Sequence, residues 1–328
     1  MTALSSNLQI RLRRPPAEPA DLELTEAPRP ALTNGAFLAR AIWLALDPFL
    51  FAPQNGSAAA VRPGDLVPAR GVGQVIDSRH DVFGVGSLVE LDCGLQQLCV
   101  SDGQHARLLH PGQTPASTAL GVLGAPGMAA YFGLLDAARL RPGETVLVSA
   151  AANAAGTMAG QIAMLKGARA IGIAGTREKC DWLTRHARIT ACINHSAENV
   201  SARLQQLAPH GVDVYFDSVG GALSDSIVAG RHLAPGARIV QNNVPASDPE
   251  ALLRRGGYQA GKDGVQVLRV STRGYEHRRG EFLREAIAWH GAGRIAAKEH
   301  IVEGLANAPA HLLLAMQGGN FGRPLVRV

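Results

Sequence analysis

The sequence predicts an α/β protein in two parts, a β-rich, barrel-like region followed by a doubly wound parallel sheet. Three observations point there. Residues 145–166, TVLVSAAANAAGTMAGQIAMLK, pass from a β-branched apolar run through small residues to a helical stripe of Met158, Ile162 and Leu165. Strand-like and helix-like segments then alternate, as they do in a parallel sheet covered on both faces. Before about Leu120 the apolar runs are instead short and broken by Pro and Gly.

In order, LQIRLRR, FLARAIWLAL, GVGQVIDS, GSLVEL and QQLCVS read as the strands of the first region, with turns at Asp47-Pro48-Phe49, Val61–Gly64 and Gly84–Gly86. Residues 119–136 are helical in pattern after Pro126, and Arg141–Glu144 turns the chain into the run starting at Thr145. The alternation continues with ARAIGIAG, a helix from about Arg177 to Arg188, TACIN, and a helix from about Asn199 to Leu207. VDVYFDSVGG, a helix from about Leu223 to His232, GARIVQ and VQVLRVS complete it. After Gly280 a helix leads to the extended KEHIVEGL, a helix near Ala308 and a closing run, GGNFGRPLVRV. That run comes too late to be a seventh neighbour of the parallel sheet, which leaves it a return to the first region. The expected division is residues 1–118, completed by about 296–328, and residues 119–295.

The 328 residues are 46% hydrophobic, enough for two domains and a large core. The net charge of +5 is scattered, and with aromatics at 5% there is no basic face interleaved with stacking residues, so nucleic acid is not the expected partner. No stretch approaches the roughly 20 apolar residues of a membrane span, and the N-terminus lacks a signal-peptide apolar core. A cytoplasmic location follows as the expectation. Cys93, Cys99, Cys180 and Cys192 form no CxxC pair and are read as reduced thiols.

A turn free of side-chain bulk at a helix N-terminus presents N–H groups and the positive end of the helix dipole, which suits a pyrophosphate. Asn153, Ala155, Gly156 and Thr157 are its candidates, although a strict GxGxxG is absent. The next strand ends at Gly175, followed by Thr176, Arg177, Glu178 and Lys179. A hydroxyl with two cations at this place suits the 2′-phosphate of NADPH. The same residues also read as a helix start capped by Thr176 with solvated charges. Asp217–Gly221 ends a later strand and is expected to offer backbone contacts from Ser218 and Val219, with Asp217 not assigned as an acid.

LGAPGMAAYFGLLD, the segment 141–183, GVDVYFDSVGG and the closing HIVEGLANAPAHLLLAMQGGNFGRPLVRV resemble the zinc-independent medium-chain dehydrogenase/reductase superfamily, in its leukotriene/prostaglandin reductase and curcumin reductase-like branch. The resemblance implies a GroES-like β-barrel catalytic domain and a Rossmann domain. It also implies NADPH-dependent reduction of the C=C bond of an α,β-unsaturated carbonyl, by hydride transfer to the β-carbon. Where the family usually has Asn-Tyr-Lys near the 2′-phosphate, this chain has Asn194-His195-Ser196, which makes His195 a candidate; Asn320 matches a family position near the nicotinamide. The resemblance also puts Asn153 where the family usually has the first turn glycine, which implies a left-handed φ with its side chain toward the phosphates.

Val67–Gly73 holds neither the His nor the Cys of zinc-dependent relatives, so no metal is expected. Two family tyrosines are missing: Phe49 stands for one, and Val240–Pro245 has none. Phe49, Phe51 and Met128 are therefore expected to line an apolar pocket for a small apolar carbonyl substrate. The donor to its oxygen then falls to Asn242, Asn243 or Tyr258. By resemblance Val265–Val270 supplies the edge of a homodimer. Two other readings share the fold: a diverged biosynthetic tailoring enzyme, including a non-redox cyclase, and a dinucleotide-binding protein without catalysis.

Overall fold

The computed structural model describes residues 5–15, 18–47, 61–244, 252–254, 257 and 263–328. They fall into two compact units, Met1–Leu120 with Glu299–Val328, and Gly121–Lys298.

In the first unit, β1 (Ser6–Leu12) and β2 (Leu22–Pro28) form an antiparallel ribbon, with Ser6 opposite Pro28 and Leu12 opposite Leu22. The larger sheet is built on β3 (Phe37–Ala45), whose FLARAIWLA is buried nearly throughout because strands pair with it on both sides. β4 (Arg70–Ser78), β5 (Leu88–Asp92) and β7 (Arg107–Leu108) extend one side, and β6 (Leu98–Ser101) pairs with β3 on the other. β14 (Glu299–Glu303) and β15 (Arg323–Arg327) complete the order β14-β15-β3-β4-β5-β7, so the closing run does return to the first unit. Irregular register between β3 and β4, near Leu38/Ala39 and Ala41/Trp43, lets the sheet coil. Ile10, Phe37, Leu44, Val89 and Leu91 lie at its core.

Two ion networks brace that unit. Buried Glu90 accepts from Arg70 Nη2 and Arg107 Nε, both at 2.9 Å, and Arg323 pairs with Asp47, its Nη2 3.0 Å from Oδ2. A buried carboxylate is held by such paired donors, and removing one partner leaves an uncompensated charge.

The second unit opens with α1 (Ala125–Phe132) and runs through β8 (Thr145–Val148), α2 (Ala154–Leu165), β9 (Arg169–Ala174), α3 (Arg177–Arg185), β10 (Ala191–Asn194) and α4 (Val200–Leu207). It continues with β11 (Val212–Asp217), α5 (Gly221–Ala229), β12 (Leu233–Asn242), β13 (Gln266–Val270) and α6 (Arg279–Gly291); α7 (Ala308–Met316) belongs to the first unit. The strand order β10-β9-β8-β11-β12-β13 is wholly parallel, with β8 and β11 side by side where the winding reverses. Ligands of such sheets bind at the carboxyl ends beside this switch point. Among the described residues β13 (Gln266–Val270) pairs with β12 alone and lies at an edge of the sheet.

Three sequence expectations need correction. The helix expected from Leu223 begins at Gly221 and ends at Ala229, because Asp217 Oδ1 accepts the N–H groups of Val219 and Gly220 and starts the turn early. α3 stops at Arg185, and Arg188 beyond it has a left-handed φ of 56°. Cys180 and Cys192, read as reduced, are joined as a disulfide with their Cα atoms 5.2 Å apart. The β9–α3–β10 crossover lays the helix against the strand, a proximity that a spacing of 12 positions does not announce. Cys93 and Cys99 are free and buried.

Candidate cofactor site

The turn after β8 is built from small residues under tight packing. A Cβ on Gly156 would lie 2.5 Å from Ala150 O and 2.8 Å from Ala151 Cα, so only glycine lets α2 start this close to the strand. Such closeness is what presents helix N–H groups at the sheet edge. The left-handed residue is Ala150, at φ 45°, whereas Asn153, expected there, is extended at φ −84°. Asn153 is instead the N-cap, its Oδ1 accepting from Gly156 N–H at 2.7 Å. Asparagine suits both roles, and the cap prevails because Gly156 needs an acceptor. The N–H groups of Ala154 and Ala155 have no protein acceptor among the described residues and remain for an anion. Thr157 points inward, Oγ1 donating to Ala151 O at 3.0 Å.

The turn after β9 is open and cationic. Thr176 Oγ1 accepts from Lys179 N–H at 3.2 Å, so the capping role read in the sequence is present. Arg177, the first residue of α3, has its side chain 91% exposed, with Asp181 Oδ2 at 4.0 Å along the helix. Lys179 is buried to 9% exposure, and burial pushes its ammonium pKa below the usual lysine value. Across the turn, His195 N–H donates to Ala174 O at 3.0 Å, and a Cβ on Gly175 would stand 3.3 Å from His195 Nε2 and 4.0 Å from Ser196 Oγ. Lacking a Cβ, Gly175 leaves a shallow hollow against His195 and Ser196, with Thr176 and Arg177 next in the chain. A phosphate suits this set of one hydroxyl, one exposed guanidinium and an imidazole.

At the switch point a polar network lies beneath the site. Asp217, fully buried, accepts from Ser149 Oγ at 2.9 Å, Tyr215 OH at 3.1 Å, Val219 and Gly220 N–H at 3.0 Å, and Ser224 Oγ at 2.6 Å. Burial and the neighbouring carboxylate push the Tyr215 phenol well above its usual range. Ser149 Oγ also accepts from Ser218 N–H at 2.9 Å, and Asn242 Nδ2 donates to Ser218 Oγ at 3.1 Å. The ends of β8, β11 and β12 are therefore locked together, with Val219 44% exposed above them. Sequence reasoning missed Ala150, Ser149, Tyr215 and Ser224; a serine closing the apolar run TVLVS was the available signal.

Asn242 is buried, whereas Asn243 is exposed at φ 54°. Met128 on α1 has no exposed surface. Asn320, in the first unit, donates from Nδ2 to Gly322 O at 2.7 Å, which folds the Gly-Asn-Phe-Gly turn. Phe49, Phe51 and Tyr258 lie outside the described residues. No group of three or more His, Cys, Asp or Glu could hold a metal ion among the described residues. No helix of the described residues is long and apolar enough to cross a membrane.

Two family models match, one described as the N-terminal domain of oxidoreductase over residues 9–109 and one as zinc-binding dehydrogenase over residues 154–272. The chain is 34% identical over 320 residues to prostaglandin reductase 1 of Bos taurus, covering 94% of each. It is 33% identical over 308 residues to the NADPH-dependent curcumin reductase of Escherichia coli, covering 90% of this chain and 88% of that one. Among solved structures, CurA of Vibrio vulnificus in complex with NADPH superposes with a TM-score of 0.87 at 32% identity, over 98% of this chain and 99% of that one. The parallel sheet, the tight glycine turn and these matches agree: the chain belongs to the medium-chain dehydrogenase/reductase superfamily, in the zinc-independent branch that holds the prostaglandin and curcumin reductases.

Proposed function

We propose that this chain reduces the C=C bond of a small, apolar α,β-unsaturated carbonyl with NADPH and without a metal. The observation that carries the reading is the turn after β9, where His195 stands against Gly175 and the exposed Arg177 follows two residues on, in a chain 33% identical to an NADPH-dependent curcumin reductase. The α2 N–H groups of Ala154 and Ala155 would hold the pyrophosphate, and Thr176, Arg177 and His195 would take the 2′-phosphate. The Ser218–Gly220 turn, its N–H groups engaged by Ser149 and Asp217, would meet the cofactor by main-chain contact without donating them.

When bound, NADPH supplies a hydride for the β-carbon, and negative charge then develops on the carbonyl oxygen. The chain must orient the alkene and place a hydrogen-bond donor at that oxygen. Asn242 is engaged with Ser218 and positions the β12 end. Asn243, with its exposed amide, is the donor candidate among the described residues. In this reading Phe49 and Phe51 are the apolar contacts to the substrate and Asn320 a contact to the nicotinamide half, while Met128, with no exposed surface, does not meet a ligand directly. A homodimer joined through the β13 edge and a cytoplasmic location complete the proposal.

The test is NADPH oxidation followed at 340 nm against a panel of enones and enals, with NADH in parallel. Turnover that favours NADPH supports the reading. Tight NADPH binding with no panel member reduced would overturn the reaction while keeping the cofactor.

A further inference from the structure

The Cys180–Cys192 bridge sits beside the hollow just described. Cys180 is the fourth residue of α3, directly after Lys179, and Cys192 lies on β10 three positions before His195. The two segments that flank Gly175, Thr176–Lys179 and Asn194–Ser196, are therefore fastened to each other covalently. Hydrogen bonds at this place include Lys179 N–H to Thr176 Oγ1, Ser196 N–H to Asn194 Oδ1, Asn194 N–H to Glu198 Oε2 and His195 N–H to Ala174 O.

Both sulfurs belong to half-buried residues. Cys93 and Cys99 differ: each is 2% exposed, their Sγ atoms are 2.8 Å apart, and they are enclosed in the core of the first unit. Cys180 also lies in the first turn of a nine-residue helix, three residues after Arg177.

We infer that Cys180 and Cys192 are a reversible thiol switch on the 2′-phosphate pocket. As a disulfide the pair holds Arg177 and His195 on either side of Gly175, prepared for the phosphate. As two thiols it releases the first turn of α3 from β10, and the phosphate must then order both segments on binding. Closure takes a low-molecular-weight disulfide as oxidant. The Cys180 thiolate attacks one of its sulfurs, forming a mixed disulfide and expelling one thiolate. Cys192, having given its proton to solvent, attacks the Cys180 sulfur and expels the second. Two protein thiols are oxidised and the small disulfide is reduced to two thiols; a small dithiol reverses the exchange.

The inference rests on the NADPH reading, and the experiment separates the two. Full-length protein is equilibrated with glutathione disulfide or with dithiothreitol, and the state of Cys180 and Cys192 is read by alkylation and peptide mass mapping. Dissociation constants for NADPH and NADH are then measured by fluorescence titration in each state. Reduction is expected to raise the NADPH constant about threefold to tenfold, with little change for NADH, and Cys192→Ser is expected to match the reduced protein in both buffers. Free, alkylated cysteines after glutathione disulfide treatment, or an NADPH constant indifferent to a confirmed bridge, would overturn the switch alone. Failure of both states to bind NADPH would overturn the cofactor reading and the switch with it.

Discussion

After β8 the chain turns through Ala150–Asn153, nearly enclosed and uncharged, and offers only main-chain N–H groups to a ligand; after β9 it turns through Gly175–Arg177, exposed and cationic, and offers side chains. The first turn is held by contacts that tolerate no added atom, such as the 2.5 Å approach to Ala150 O that a Cβ on Gly156 would make. The second faces solvent, with His195 Nε2 3.3 Å from the place a Cβ on Gly175 would take and the Arg177 guanidinium largely exposed. A pyrophosphate is common to NADH and NADPH, so geometry alone can serve it. Only one of the two carries the 2′-phosphate, so its recognition needs charge that can be added or removed. The comparison teaches that substitutions in the first turn act through the fold and those in the second through cofactor choice.

The largest expected effect breaks the first turn. Gly156→Ala forces backbone apart and is expected to cost about 2 kcal/mol of stability, read as a lower urea midpoint, with NADPH and NADH weakened together. Next comes the second turn: Arg177→Ala is expected to raise the NADPH dissociation constant about tenfold, leave NADH unchanged, and flatten the salt dependence of NADPH binding. Equal losses for both cofactors would dissolve the distinction between the turns.

A smaller effect sharpens it. Asn153→Ala removes the cap on Gly156 and is expected to lower stability by about 1 kcal/mol, without altering the ratio of NADPH to NADH affinity. The smallest concerns Lys179, whose burial disfavours its ammonium. Its folded pKa lies below the unfolded value, so its unfavourable contribution is full at neutral pH and fades as pH rises from the folded pKa to the unfolded one. Lys179→Met is accordingly expected to stabilise by about 0.5 kcal/mol, with the gain shrinking in alkaline melts.

The β8–turn–α2 segment was legible because the apolar period changes within about twenty residues from a continuous buried run to a helical stripe. The closing strand was legible in part: its lateness ruled out the parallel sheet, and pairing with β3 confirmed the return. Thr176 was readable as a cap or as a phosphate ligand, and the structure shows the cap while leaving the Arg177 guanidinium largely in solvent. Other features were hidden. Asp217 is surrounded by donors that include Ser149, 68 positions earlier, and no local pattern reports that meeting. Asn153 was misassigned because local preference allows both a left-handed φ and a cap.

The sequence by itself determined the alternation of elements, the small-residue turn, the cations after β9 and the family, since each follows from residue type and spacing along a short stretch. Tertiary structure alone decided that Ala150 takes the strained φ, that Cys180 meets Cys192, and that Ser149, Asp217, Ser218 and Asn242 lock three strand ends together. Those outcomes depend on which atoms from separate segments compete for one donor or one space, and that competition exists only once the chain has packed.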